Sequence, residues 1–181
     1  DIPMFRITII FILLFLLSSC TKSGVSRDVQ IFWKDGENIV VQWRGVIMED
    51  TSILTSAHVV SDDRLRYFID WNNYIVIKRD IIGDRALLTQ DAKQSEVSID
   101  IYPKLVKTGS QVYIQTVRSW SIITLTGVVI LPKTSLSAYD FRGRNITLSW
   151  VLITDIDLNT GDSGAGIFTL WWELVDIVHV K

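Results

Sequence analysis

The chain has little of what metal and redox chemistry usually require. Its 181 residues include one cysteine, Cys20, and two histidines, His58 and His179. A single cysteine cannot close an internal disulfide, and one Cys with two His cannot supply the usual four-ligand structural zinc site. Neither sign of charge dominates, because 18 Lys and Arg face 20 Asp and Glu for a net charge of −2. That balance excludes the basic footprint of a nucleic-acid binder. No internal repeat and no low-complexity tract follows the N-terminal segment. With 48% hydrophobic and 21% charged residues, the chain can bury a real core, and its length fits one domain of at most two small lobes. Its chemistry therefore has to come from ordinary side chains, without a metal or cofactor.

The hydrophobic residues are concentrated at the start, where Ile9 to Leu17 is an unbroken apolar run. The run is too short to span a bilayer. Preceded by Met4-Phe5-Arg6 and followed by small residues, it has the layout of a secretory signal. Leu17-Ser18-Ser19-Cys20 resembles the lipobox of bacterial lipoproteins, in which the cysteine becomes the lipidated first residue after cleavage. Serine directly before the cysteine is a less usual choice, and a plain signal peptide or a buried first strand fits the same residues. The expectation is a signal peptide over 1–19, a polar tether over 20–27 and an extracytoplasmic protein held to the cell envelope by a lipid on Cys20.

From residue 28 onward, short β-branched and aromatic runs alternate with turn residues, the pattern of an all-β protein. The expected strands are 29–33, 39–48, 52–55, 66–71, 74–78, 86–90, 111–117, 121–131, 147–154, 166–170 and 173–180. Asp35-Gly36, Asn72-Asn73 and Lys107-Thr108-Gly109-Ser110 are the expected turns. Eleven short strands suggest two small barrels, about 28–95 and 105–181. The polar stretch between Gln90 and Gln111 forms the seam.

Three segments matter together. In Ile53-Leu54-Thr55-Ser56-Ala57-His58, a histidine follows an apolar strand, which alone is weak evidence of chemistry. In Gly83-Asp84-Arg85-Ala86-Leu87-Leu88, an aspartate heads an apolar run, a position usual for a turn or cap. Thr160-Gly161-Asp162-Ser163-Gly164-Ala165-Gly166 is glycine-rich around one serine, so the Gly161 and Ser163 amides could point into a common cavity, as an oxyanion hole requires.

Thr55-Ser56-Ala57-His58, Asp84-Arg85-Ala86-Leu87-Leu88 and Gly161-Asp162-Ser163-Gly164 resemble, in this order, the motifs of chymotrypsin-fold (trypsin-like) serine proteases, the bacterial HtrA/Deg branch above all. The order His, Asp, Ser differs from that of subtilisins and of α/β-hydrolases. The resemblance covers roughly 39–180. It implies two six-stranded antiparallel β-barrels and hydrolysis of protein or peptide substrates through an acyl-enzyme. In that reading Ser163 is the nucleophile, His58 the base and then the acid, and Asp84 the orienting carboxylate. The Gly161 and Ser163 amides bind the oxyanion. Asp80 competes with Asp84, although the apolar run directly after Asp84 anchors it better in a strand. Asp157, six residues before Ser163, falls where trypsin-like enzymes form the floor of the primary pocket, and a carboxylate there selects Lys or Arg. A solvent-facing loop carboxylate is the equal alternative.

Two departures stand out. Asp162 pairs with a freed N-terminal ammonium in zymogen-type enzymes, a route closed to a tethered, lipidated N-terminus. Only 18 residues follow Ser163, so the second barrel is expected to be minimal or cut short at its C-terminal end. Leu174-Val175-Asp176-Ile177-Val178 resembles the family's L-V-G-I-V strand with Asp176 in place of glycine, and His179 reads as a strand residue. The alternative to an enzyme is an inactive or truncated lipoprotein that keeps the fold as a binding or scaffold module.

Overall fold

A computed structural model describes residues 28–35, 38–62, 65–90, 106–119, 121–139 and 143–179. The expected signal peptide, the expected tether and Cys20 lie outside the described residues, as does the expected turn at Gly36. Among the described residues there are eleven strands and no helix.

The first six strands are β1 (Asp28–Asp35), β2 (Asn38–Ile47), β3 (Ile53–Thr55), β4 (Arg66–Ile69), β5 (Asn72–Asp80) and β6 (Arg85–Thr89). They close into an antiparallel barrel in the order β1-β2-β3-β6-β5-β4. The remaining five are β7 (Gln111–Arg118), β8 (Ser121–Tyr139), β9 (Asn145–Thr154), β10 (Gly166–Thr169) and β11 (Leu174–Ile177). They form a five-stranded sheet in the order β11-β10-β7-β8-β9. The architecture is the all-β double barrel expected from the sequence, with a closed first barrel and an incomplete second one among the described residues.

The period-2 pattern explains which faces are buried. In β4 Tyr67 and Ile69 point inward while Arg66 faces solvent, whereas every residue of β6 is buried, with Ala86 and Leu88 in the barrel core and Leu87 packed against the second lobe. Ile31, Ile53, Val60, Tyr67 and Leu88 fill the first barrel. Val112, Ile114, Val129, Ile167 and Val175 line the second. A third cluster joins the lobes, where Val46, Leu54 and Leu87 of the barrel meet Tyr113, Phe168 and Ile177 of the sheet. The interface between the lobes is thus packed and apolar, and the polar groups set into it are held in fixed positions; the expected linking stretch between Gln90 and Gln111 lies, over 91–105, outside the described residues.

Two local expectations need correction. The β4–β5 turn is Asp70-Trp71, not Asn72-Asn73: both residues have positive φ (47° and 66°), and Ile69 pairs directly with Asn72. This is a two-residue hairpin turn of the kind that matches strand twist. Strand β8 runs on to Tyr139, beyond the expected end at Leu131, and pairs with β9 from Asn145. Register shifts between Val129 and Thr134 accommodate Pro132, which cannot donate to a regular ladder. The turn at Lys107–Ser110 forms as expected, with Gly109 at φ 84° and the Ser110 amide donating to the Lys107 carbonyl at 2.9 Å.

Candidate active site

His58 sits in the turn after β3 and Asp84 in the turn before β6; because β3 pairs with β6, the two turns meet at one end of the barrel. Asp84 takes a left-handed conformation (φ 49°), which an aspartate tolerates. The Ala57 amide donates to its carbonyl (3.1 Å) and the His58 amide to its Oδ1 (3.0 Å). Oδ2 is left to meet His58 Nδ1 at 2.8 Å. Burial works to raise the Asp84 pKa, but contacts with His179 and His58 outweigh it and hold the carboxyl below the usual range. An ionised Asp84 can only accept, so a neutral His58 carries its proton on Nδ1 and keeps Nε2 as a free base. Trp43 packs edge-on against the imidazole, with ring centroids 6.1 Å apart.

Ser163 is carried on the loop between β9 and β10 and is fixed from both lobes. The Arg44 amide of β2 donates to the Ser163 carbonyl (3.1 Å), and the Gly164 amide donates to the Val178 carbonyl (2.7 Å). Gly164 has to be glycine: its φ is 86°, and a Cβ there would lie 2.0 Å from the Arg44 carbonyl oxygen. Ser163, His58 and Asp84 line one cleft of about 660 Å³, whose walls include the apolar side chains of Leu136, Ile153 and Leu158. No hydrogen bond joins Ser163 to His58 among the described residues, and neither the Gly161 nor the Ser163 amide donates to a protein acceptor there.

Asp162, fully buried, accepts from Arg118 through both oxygens (Nη1 to Oδ1, 2.8 Å; Nη2 to Oδ2), from Thr116 Oγ1 and from the Asn159 amide (2.7 Å). Burial would raise its pKa, but Arg118 and these donors hold it below the ordinary value. Arg118 thus occupies the carboxylate that the resemblance reserves for an N-terminal ammonium.

The structure does not bring Asp157 to the cleft. Ile156 is buried, Leu158 turns toward the cleft and Asp157 between them faces solvent. Asp80, the competing acid, accepts from the Gly83 amide (2.9 Å) and so ties the turn rather than meeting His58.

Sequence reasoning missed His179 and Asp176. His179 Nε2 lies 3.1 Å from Asp176 Oδ1, and its Nδ1 lies 3.2 Å from the Asp84 carbonyl oxygen and 3.6 Å from Asp84 Oδ2. Arg85 Nη2 donates to the same Asp176 Oδ1 at 3.0 Å, and the Leu152 amide to Oδ2 at 3.2 Å. The available signal was two ionisable residues inside the apolar run 174–180.

No family model matches the chain, and no curated protein matches it. Solved structures do. The active form of the Rv3671c protease from M. tuberculosis aligns with a TM-score of 0.64 at 18% identity, covering 91% of this chain and 74% of that one. The MamO protease domain from Magnetospirillum magneticum aligns at 0.62 and 17%, covering 86% and 85%. The serine endoprotease from Yersinia pestis aligns at 0.59 and 23%, covering 86% of this chain and 54% of that one. At such identities the likeness carries the architecture and nothing finer: this chain has the double-barrel fold of the trypsin-like serine proteases.

Proposed function

We propose that the chain is a serine endopeptidase that cuts protein or peptide substrates outside the cytoplasm, tethered by a lipid on Cys20. The observation that carries this reading is the 2.8 Å contact from His58 Nδ1 to Asp84 Oδ2 in a cleft that Ser163 also lines. In the reaction, His58 Nε2 takes the Ser163 proton as the oxygen attacks the substrate carbonyl, and the bond to the leaving amine breaks as His58 returns that proton. The Gly161 and Ser163 amides, with no protein acceptor of their own among the described residues, are available for the oxyanion. Water repeats the cycle on the acyl-enzyme. Ion pairing of Asp162 with Arg118 supports a nucleophile loop held without a freed N-terminus.

One observation favours the second reading, a binding module that has kept the fold: Ser163 and His58 share no hydrogen bond. Such contacts are often long in substrate-free enzymes and tighten only around substrate. Reaction with a fluorophosphonate probe separates the two. The expected result is labelling of the wild type that is lost in Ser163→Ala and falls by about three to four orders of magnitude in rate in Asp84→Asn. A wild type that does not label, or that labels equally as Ser163→Ala, overturns the proposal.

A further inference from the structure

His179 is buried, and its two ring nitrogens face acceptors only: the Asp84 carbonyl and carboxylate on one side and the Asp176 carboxylate on the other. A neutral imidazole carries one N–H and cannot satisfy both sides; the imidazolium can. The charged groups around it come from four elements: Asp84 from the turn before β6, Arg85 from β6, Asp176 from β11 and, across Asp84, His58 from the turn after β3. Resting on the endopeptidase reading, we infer that His179 is a positioning residue: a permanent buried imidazolium, held by Asp176, that shares Asp84 with His58 and sets how strongly Asp84 supports a charged His58.

The electrostatics follow from the geometry. Burial opposes charge on His179, but the Asp176 carboxylate and then Asp84 override it and push the pKa up to about 9. His179 itself, and then Arg85 drawing on the same Asp176 oxygen, hold that carboxyl below its ordinary pKa despite its complete burial. A fixed cation beyond Asp84 offsets part of the negative charge that would otherwise stabilise protonated His58. The shared Asp84 carboxylate therefore gives a charged His58 less support than an unshared Asp–His pair would. The device costs some stabilisation of the imidazolium formed during reaction and extends activity toward acid.

The test uses the chain's two histidines and needs no natural substrate. In an NMR titration of the wild type, with the two imidazole signals assigned from His58→Gln, the His179 signal is expected to stay in its protonated position through pH 8. A His179 signal that titrates below pH 7 overturns the inference without any variant of His179. In parallel, fluorophosphonate labelling rates are followed against pH. Replacing His179 by glutamine keeps polar contacts but removes the charge, and is expected to move the acid limb of the profile up by about one pH unit. A purely structural role would lower the labelled fraction and leave the limb in place, and an unmoved limb in folded His179→Gln overturns the positioning role alone. Absence of wild-type labelling at every pH removes the endopeptidase reading and the positioning role with it, and the NMR result then reports only the charge of His179.

Discussion

Two groups of polar side chains are set into the seam between the lobes, and burial acts on them in opposite ways. On one side, Asp84 and Asp176 share His58, His179 and Arg85, and Asp162 nearby binds Arg118. All three of these carboxyls are held below their ordinary pKa by their partners although burial alone would raise them. On the other side, among the described residues, Asp28 at the start of β1 accepts only the Gly166 amide of β10 on Oδ1 (3.0 Å), while its Oδ2, Arg44 Nε and the Tyr113 hydroxyl have no hydrogen-bond partner. There burial wins, and the Asp28 pKa is pushed up to about 6. What decides the ionisation of a buried carboxyl here is the number of donors aimed at it, not its depth. The donor-rich group is also the one that contains Asp84 and His58 of the candidate site.

The most demanding test of that contrast strips donors from the rich side. Arg118→Met leaves Asp162 fully buried with only Thr116 Oγ1 and the Asn159 amide, and should cost about 3 kcal/mol in urea denaturation at neutral pH, since a buried charge without its counter-ion is strongly destabilising. The wild-type Asp162 pKa is depressed on folding, so its contribution is present above the unfolded value near 3.8 and is lost as pH falls through the folded one. The deficit of the variant should accordingly shrink in acid, where the carboxyl protonates. The double variant Arg118→Met with Asp162→Asn should recover most of the loss, and a double variant no better than the single one would mean that Arg118 acts through packing, not charge.

The converse change adds nothing and removes a charge from the poor side. The folded-state pKa of Asp28 lies above its unfolded value of 3.8, so the folded protein binds this proton more tightly. Its contribution is complete below about pH 3.8 and is lost as pH rises toward 6. Asp28→Asn keeps an acceptor for the Gly166 amide and takes away the ionisation. It should therefore stabilise the protein by about 1–2 kcal/mol at pH 7 and by nothing at pH 3.5, measured as paired denaturation curves. A loss of stability at pH 7 that shrinks at pH 3.5 would instead place Asp28 with the well-supported carboxylates.

The same division describes what the sequence could tell. His58, Asp84 and Ser163 were legible because each sits in a short contiguous motif whose local chemistry is visible, and the barrel strands were legible from their alternation. Pro132 hid the extension of β8 because it breaks that alternation without ending the strand. The pairings were not legible: Arg85 meets Asp176 across 91 positions and between the lobes, Arg118 meets Asp162 across 44 within the second lobe, and contacts of that range come from tertiary packing that no local pattern records. At Asp157 spacing left two readings open, a pocket floor and a solvent-facing loop carboxylate, and the alternation of Ile156, Asp157 and Leu158 turns it to solvent.

The smallest expected effect tests whether the poor side is truly unsatisfied. Tyr113 is buried between Phe168, stacked at a centroid distance of 5.7 Å, and Trp172, edge-on at 5.0 Å, and its hydroxyl finds no partner among the described residues. Burial and the nearby Asp28 charge push its pKa up to about 12, so at any ordinary pH it is a neutral donor with nothing to donate to. Tyr113→Phe keeps both ring contacts and deletes only the unpaired group. Because an unpaired buried hydroxyl is a net cost, the change should stabilise the fold by about 1 kcal/mol or less, where most Tyr→Phe changes at a hydrogen-bonded site destabilise. The sign is the informative part: a loss of stability in thermal denaturation would mean that the hydroxyl is paired in solution, by water or by Asp28, and the contrast between the two sides of the seam would narrow to Asp28 alone.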